Sequence, residues 1–595
     1  MTTYSAPLRD MRFVLHELLE VRRLADLPGY EEATPDLIDA VLEEGAKLAE
    51  NVLFPLNRSG DEEGCVLENG VVRTPEGFKE AYDKFAEGGW TGLAADPKFG
   101  GQGLPAVLEV AVDEMVCAAN LSFGIYPGLS RGACRALERH APDALKDLYL
   151  PKLVEGRWSG TMCLTEPQCG TDLGLIRTRA EPADDGSYAI TGTKIFISAG
   201  EHDLTENIVH LVLARLPDAP KGIKGISLFL VPKFLPADGA PGPRNGVSCG
   251  GLEHKMGIKA SATCVMNFEQ ATGWLVGEPH RGMRAMFTMM NEARLAVGVQ
   301  GLGIAEVAYQ SAVAYARERL QGRALSGAAH PDQPADPILV HPDVRRMLLT
   351  MRAVREGARA LAYWIGQSVD QAAKHPEPAS REAAEDFAAL MTPVIKAYFT
   401  DQGSACANLG VQVMGGHGYI REWGMEQLVR DARITQLYEG ANGVQALDLV
   451  GRKLPAHFGR YLRSFFHPVM AFVEEHQANA QLAEFVLPLA KAFARLQQIT
   501  LHLAQQGLKN PDEAGAASSD YLRLFALVAM AYVWARMAQT AQARLAGGAP
   551  DPAFYEAKLG TARFFMAKLL PESGALFAQI MAGGAPLMQF EDAAF

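Results

Sequence analysis

Four short stretches in the middle of this chain limit its fold more than anything else in it. Residues 191–198 (TGTKIFIS), 208–216 (IVHLVLARL), 225–232 (GISLFLVP) and 262–268 (ATCVMNF) are rich in β-branched and aromatic residues, with Gly, Pro and Asp turns between them. Runs so short and so closely spaced predict a compact antiparallel barrel or sandwich. Helical sequence lies before and after these runs, and that order argues for separate segments rather than βαβ winding.

The β texture begins near Gly160 and ends at Gly277, and the flanking sequence has helical periodicity. Upstream, Thr34-Pro35 supplies an N-cap and a first-turn proline, followed by Leu37, Ile38, Val41, Leu42 and Leu48 at helix spacing. A glycine-rich break covers residues 97–105 (PKFGGQGLP). Downstream, periodicity runs to about Lys453, interrupted by a Pro/Gly/Ala/Asp loop over 324–342 that is too long for a simple helix connection. Residues 455–595 are helical again and Ala/Leu-rich, with breaks expected at 509–519 and 547–552. The order predicts an α+β fold. It comprises an extension (1–35), a helical domain (36–158), a β domain (159–278), a second helical domain resembling a four-helix bundle (279–454) and an added helical block (455–595).

Composition narrows the function. The chain of 595 residues has a net charge of −13 and no basic stripe, which argues against nucleic-acid binding. The eight cysteines form no C-x-x-C pair and His16-Glu17 opens no H-E-x-x-H, so no metal site is expected. Scattered cysteines in a long chain fit reduced thiols in a cytoplasmic protein. The N-terminal ten residues show no apolar signal core. The longest apolar run, residues 524–535, falls short of the ~20 that a membrane span needs and predicts a buried helix.

Several motifs carry chemistry. Residues 162–172 (MCLTEPQCGTD) present backbone N–H groups and hydroxyls at a tight turn, which suits a flavin edge or a phosphate. In the next run Phe196 and Ser198 share a face, where an aromatic and a hydroxyl can meet a planar cofactor. Gly298 and Gly301 lie on one helix face and allow close packing, while Arg294 and Arg319 can each clamp a phosphate. The glycines of 415–418 (GGHG) bring backbone close to something, and Glu439-Gly440 places a carboxylate at a helix break. Singly, each motif is also what polar turns and solvated helix charges look like.

In order and spacing, however, the set resembles the acyl-CoA dehydrogenase family over about residues 36–453. The resemblance rests on Trp90-Thr-Gly-Leu93 with Gly100-Gly-Gln-Gly103, Thr165-Glu-Pro through Asp172, Arg294, Arg319, the GGHG run and Tyr438-Glu-Gly440. It implies FAD as cofactor, an acyl-CoA substrate and an electron-transfer flavoprotein as electron acceptor. By motif position, Met162, Leu164, Thr165, Phe196 and Ser198 hold the isoalloxazine. Thr171, Asn291, Arg294 and Gly440 meet the acyl-CoA, and Arg319, Gln412 and Gly416 hold FAD of a neighbouring subunit in a homodimer. Glu439 is the catalytic base that takes the α-proton. Other members keep their base just before the Arg294 position, but Ala293 stands there and has no ionisable group.

The extension, the added block and the total length resemble a subgroup of long bacterial members that includes 3-methylmercaptopropionyl-CoA dehydrogenases; the acyl chain, that one or a fatty acyl group, stays open. Departures fall at Leu320-Gln-Gly322, Pro342, Ala441 and Gly443, and these touch the flavin grip rather than the reaction. An acyl-CoA oxidase using oxygen, or a binding module on the same scaffold, would share the fold.

Overall fold

The computed structural model describes residues 2–595, which divide into two compact units. One comprises residues 2–43, Pro105–Glu114 and Val297–Phe595; the other comprises Glu44–Leu104 and Met115–Ala296.

The second unit holds the β structure. Strands Thr263–Val276, Tyr188–Ser198, Arg179–Pro182, Asn207–Arg215 and Ile226–Pro232 pair in turn, and Ile226–Pro232 returns to the far end of Thr263–Val276, closing a ring. Strands Val247–Leu252 and Trp158–Cys163 extend it at the edges. Most pairs are antiparallel, as expected, but Trp158–Cys163 and Arg179–Pro182 both lie parallel to Asn207–Arg215. Trp158–Cys163 stands where the β texture was expected to begin, though burial on both faces erases its period-two alternation, whereas the short Arg179–Pro182 and Val247–Leu252 had no clear sequence signal.

Alternate residues feed two cores. Leu211, Leu213, Leu228 and Leu230 join Trp158, Tyr149 and Met286 in a cluster that includes residues of the flanking helices. Val212, Ala214, Phe229 and Val231 join Met266 and Phe268 in the other. Both faces are apolar, so the run at 208–216 reads as continuously hydrophobic.

The helical segments follow their caps. Thr34 Oγ1 accepts from the Leu37 N–H at 3.3 Å and opens helix Pro35–Leu48. Within the stretch expected to be helical, Val66–Glu68 and Val71–Arg73 instead form a hairpin. Asn69 and Gly70 both have positive φ, the turn chemistry that Asn-Gly supplies. The break expected at 509–519 shrinks to Asn510, whose side chain caps helix Pro511–Ala546 at Asp512; Gly515, Ser518 and Ser519 lie inside that helix. The helix contains the long apolar run and packs within its unit against Ala483–Lys509, Pro552–Phe564, Glu572–Met581, Pro342–Lys374 and Pro378–Met414. Its hydrophobicity therefore serves a protein core.

Gly301 does what its spacing suggested. A Cβ there would stand 2.3 Å from the Phe399 carbonyl oxygen, and one on Gly403 would stand 2.5 Å from that of Gly301. Helices Gly282–Glu318 and Pro378–Met414 touch backbone to backbone at this crossing. The long loop after Glu318 is also ordered from within. Buried Asp336 accepts N–H bonds from Ala324, Ala329 and His330 and faces Arg323 at 3.3 Å.

At the centre of the first unit lies a buried charge cluster. Arg359, fully buried, donates to Glu114 at 2.5 and 2.9 Å, to Glu306 at 2.6 Å and to Asp10. Arg355 donates to Glu306 at 2.6 Å and to Glu356 at 3.2 Å, and Tyr363 donates to Glu114 at 2.7 Å. Lys558, from the added C-terminal block, donates to Asp10 of the N-terminal extension and to Glu356 at 2.7 Å. Burial alone would push the Asp10 and Glu356 carboxyls up; Lys558 and the arginines outweigh it and hold both below their ordinary values.

Replacing Lys558 by Met leaves two buried carboxylates short of a partner. The expected cost is about 3–5 kcal/mol of stability. Urea unfolding of K558M beside exposed-site control K491M measures it, and equal midpoints would show that Lys558 holds nothing.

Candidate active site

The two units each carry part of the predicted set. In the first, helix Met425–Thr435 ends and helix Asn442–Asp448 begins, with Glu439 and Gly440 between them at φ of 56° and 88°. A non-glycine residue held in that region costs about 1–2 kcal/mol and persists only where its surroundings enforce it. The enforcement is visible. The Asn442 N–H donates to the Gln436 carbonyl at 3.0 Å, and the side chains of Gln436 and Asn442 both donate to Asp401 at 2.7 Å. Fully buried Lys396 donates to the Asn442 side-chain oxygen at 2.9 Å. Buried Gln445 donates to the carbonyls of Glu439 and Gly440, and Tyr438 is tied to Gln300 at 2.5 Å. Sequence reasoning found Glu439 and Gly440 but not Lys396, Asp401, Asn442 and Gln445; a lysine in an otherwise apolar helix run was the available signal.

The same unit brings Arg319, Gln412 and Gly416 to exposed positions at element ends. Tyr315, one turn before Arg319, hydrogen-bonds to His417 at 2.8 Å, and His417 stacks on Trp423 with ring centres 4.6 Å apart. The end of helix Gly282–Glu318 is thereby linked to the GGHG turn. Among the described residues, its chain neighbours and own helix backbone aside, nothing stands within 4 Å of where a Gly416 side chain would go. Its own packing does not demand the glycine, which fits a backbone that a ligand approaches.

In the second unit Met162 is buried near the end of strand Trp158–Cys163, with Leu164 and Thr165 half-buried just beyond. Phe196 is 59% exposed and has a φ of 58°. The register against Thr263–Val276 shifts there, so that Ile195 and Phe196 oppose one residue. This bulge was not legible in the alternation, which puts Phe196 and Ser198 on one face but does not show that the aromatic ring is turned outward. An exposed aromatic two residues from a half-buried hydroxyl can stack on and hydrogen-bond a planar ring system. Thr171 and Asn291 are exposed, whereas Arg294 is buried on the first half of helix Gly282–Glu318. Ala293 packs against the helix-facing core.

The segment after Met162 is fixed by an ion pair that sequence reasoning missed. Buried Lys194 donates to Glu166 at 2.8 Å and to the Leu164 carbonyl at 3.0 Å. Glu166 also accepts from the N–H groups of Arg177 and Thr178, the Thr178 hydroxyl and the Gln168 amide. Burial pushes its carboxyl up, but Lys194 and these donors outweigh it and hold it down to about 2. All eight cysteines are free thiols, and no cluster of metal-ligating side chains occurs among the described residues.

The chain belongs to the acyl-CoA dehydrogenase family, FAD-dependent oxidoreductases that act on CH–CH donors. The family's N-terminal domain matches residues 42–157, its middle domain 161–271 and its C-terminal domain 280–454; residues 465–591 match the domain described as acetyl-CoA dehydrogenase C-terminal like. Among its relatives, the 3-methylmercaptopropionyl-CoA dehydrogenase of Ruegeria pomeroyi is 46% identical over 98% of this chain and 99% of its own length. The broad-specificity linear acyl-CoA dehydrogenase of Mycobacterium tuberculosis is 34% identical, with both chains fully covered. An acyl-CoA dehydrogenase from Bacillus anthracis, solved in complex with FAD, shares the fold at a TM-score of 0.75 and 20% identity, covering 94% of this chain and 90% of that one.

Glu166 sets an acid limit. Its folded pKa lies below the ordinary 4.5, so its contribution is complete above about pH 4.5 and is lost as pH falls toward 2. The full span amounts to about 3 kcal/mol. E166Q should flatten the pH dependence of melting in that window; an unchanged slope would show that the pair contributes nothing.

Proposed function

We propose that Glu439 is the catalytic base of an α,β-dehydrogenation that converts an acyl-CoA thioester into its trans-2-enoyl-CoA. The observation that carries this is the enforced left-handed turn at Glu439-Gly440, a strained backbone held from both sides at a motif where family members keep their base. Glu439 takes the α-proton, and its backbone N–H meets the negative charge that develops on the thioester oxygen. FAD, when bound, supplies the acceptor for the hydride that leaves the β-carbon.

Phe196, Ser198, Met162, Leu164 and Thr165 are assigned to the flavin ring on their shared placement after strand Trp158–Cys163 and at the bulge. Arg319, Gln412 and Gly416 are assigned to the FAD of a second subunit in a homodimer, supported by their exposure and by the open space at Gly416. Thr171, Asn291, Arg294 and Gly440 are assigned to the acyl-CoA. Electrons pass to an electron-transfer flavoprotein, and the eight free thiols suit a cytoplasmic setting. The first substrate to test is 3-methylmercaptopropionyl-CoA, because a relative that matches the whole length carries that activity in its name; linear acyl-CoAs complete the panel.

Replacing Glu439 by Gln should leave flavin bound while slowing anaerobic flavin bleaching by acyl-CoA roughly 10²–10⁴-fold. Bleaching at the wild-type rate would remove Glu439 from the role. Slow reoxidation of the reduced enzyme in air separates a dehydrogenase from an oxidase.

A further inference from the structure

Gln445 is fully buried on helix Asn442–Asp448, six residues beyond Glu439. Its Nε2 donates to two consecutive carbonyls, Glu439 at 3.2 Å and Gly440 at 3.0 Å. Two carbonyl oxygens can only accept, so they fix which end of the amide faces them. The other end, Oε1, is then left buried without a hydrogen-bond partner among the described residues. Buried polar atoms are nearly always satisfied, and an exception in a native core calls for an explanation.

A glutamine that only filled space would be replaced at no loss by an apolar side chain of the same length. This one holds the peptide units on both sides of Gly440, in a turn whose two residues have left-handed backbone. Peptide orientation at that point sets the backbone from which the Glu439 side chain is aimed. Asn442, Asp401 and Lys396 bond to one another at the start of the following helix, whereas Gln445 bonds to the carbonyl of Glu439 itself.

We propose that Gln445 is a positioning residue for proton abstraction, which sets the aim of Glu439 without touching substrate; this rests on Glu439 being the base. The probe is a 3-thia-acyl-CoA added to the flavin-loaded enzyme. With sulfur at the β-position, the thioester can lose its α-proton but has no hydride to give. The enolate therefore persists against oxidised flavin and is read by its long-wavelength charge-transfer absorption.

Gln445→Met preserves length and removes the donor. It should keep flavin content and melting temperature near wild type, lower enolate yield and kcat at least tenfold, and change KM less than threefold. Wild-type yield and kcat in folded, flavin-loaded Q445M overturn the proposal. Gln445→Glu decides the case if Q445M does not fold. A protonated carboxyl can still donate one bond, whereas an ionised one turns lone pairs on the two carbonyls, so yield should fall with rising pH where the wild type's does not. A Q445E pH profile that follows wild type overturns the proposal. Glu439→Gln is run alongside. If E439Q still forms the enolate, the base assignment itself fails, and that outcome is distinct from a defect confined to the Gln445 variants.

Discussion

The first unit depends on a buried charge cluster. Four carboxylates, Asp10, Glu114, Glu306 and Glu356, meet Arg355, Arg359 and Lys558, with Arg352 reaching in to Glu356 at 2.8 Å. Charges taken out of water are tolerable only if each finds its opposite in good geometry. The constraint binds distant parts of the chain, because the partners come from the N-terminal extension, residues 105–114, and the helices that carry Glu306, Arg352 to Arg359 and Lys558, and no single one of these segments balances its own charge within the cluster. It explains why the extension and the added C-terminal block belong to one body with the family's C-terminal helical domain. That body also holds the Glu439 turn.

Two residues assigned to the proposed chemistry, one in each unit, stand among the eleven described non-glycine residues with left-handed backbone. Glu439 in one unit and Phe196 in the other have left-handed backbone, and each is held by a different device: side-chain hydrogen bonds around the turn at Glu439, a register shift at Phe196. Each is also a residue that the sequence motifs place against a reacting or stacking partner. Backbone strain that surrounding structure enforces, at positions with that chemistry, is what a preorganised site requires.

The architecture was largely legible, and the reasons differ by element. Thr34-Pro35 and the Gly298/Gly301 spacing announced a cap and a helix crossing because their physics is local. The strands at 191–198, 208–216, 225–232 and 262–268 were legible as β-branched runs between turns. What escaped depended on partners far along the chain. Trp158–Cys163 was expected as the start of the β texture, but it is buried on both faces and has no alternation to read, and its parallel pairing with Asn207–Arg215 is a tertiary choice. The hairpin at Asn69-Gly70 was missed although its turn signal was present. At the site, Glu439 was visible as a motif, but Gln445, Asn442, Asp401 and Lys396 look like ordinary helix residues until folding brings them around one turn.

On the proposed function, Glu439 on this turn removes an α-proton. The most direct measurement is deuterium uptake from D2O into the α-position of a 3-thia-acyl-CoA, followed by mass spectrometry on the flavin-loaded enzyme. Wild type should take up deuterium, and E439Q, with flavin still bound, should not. Uptake at the wild-type rate in E439Q would remove Glu439 from the role of base.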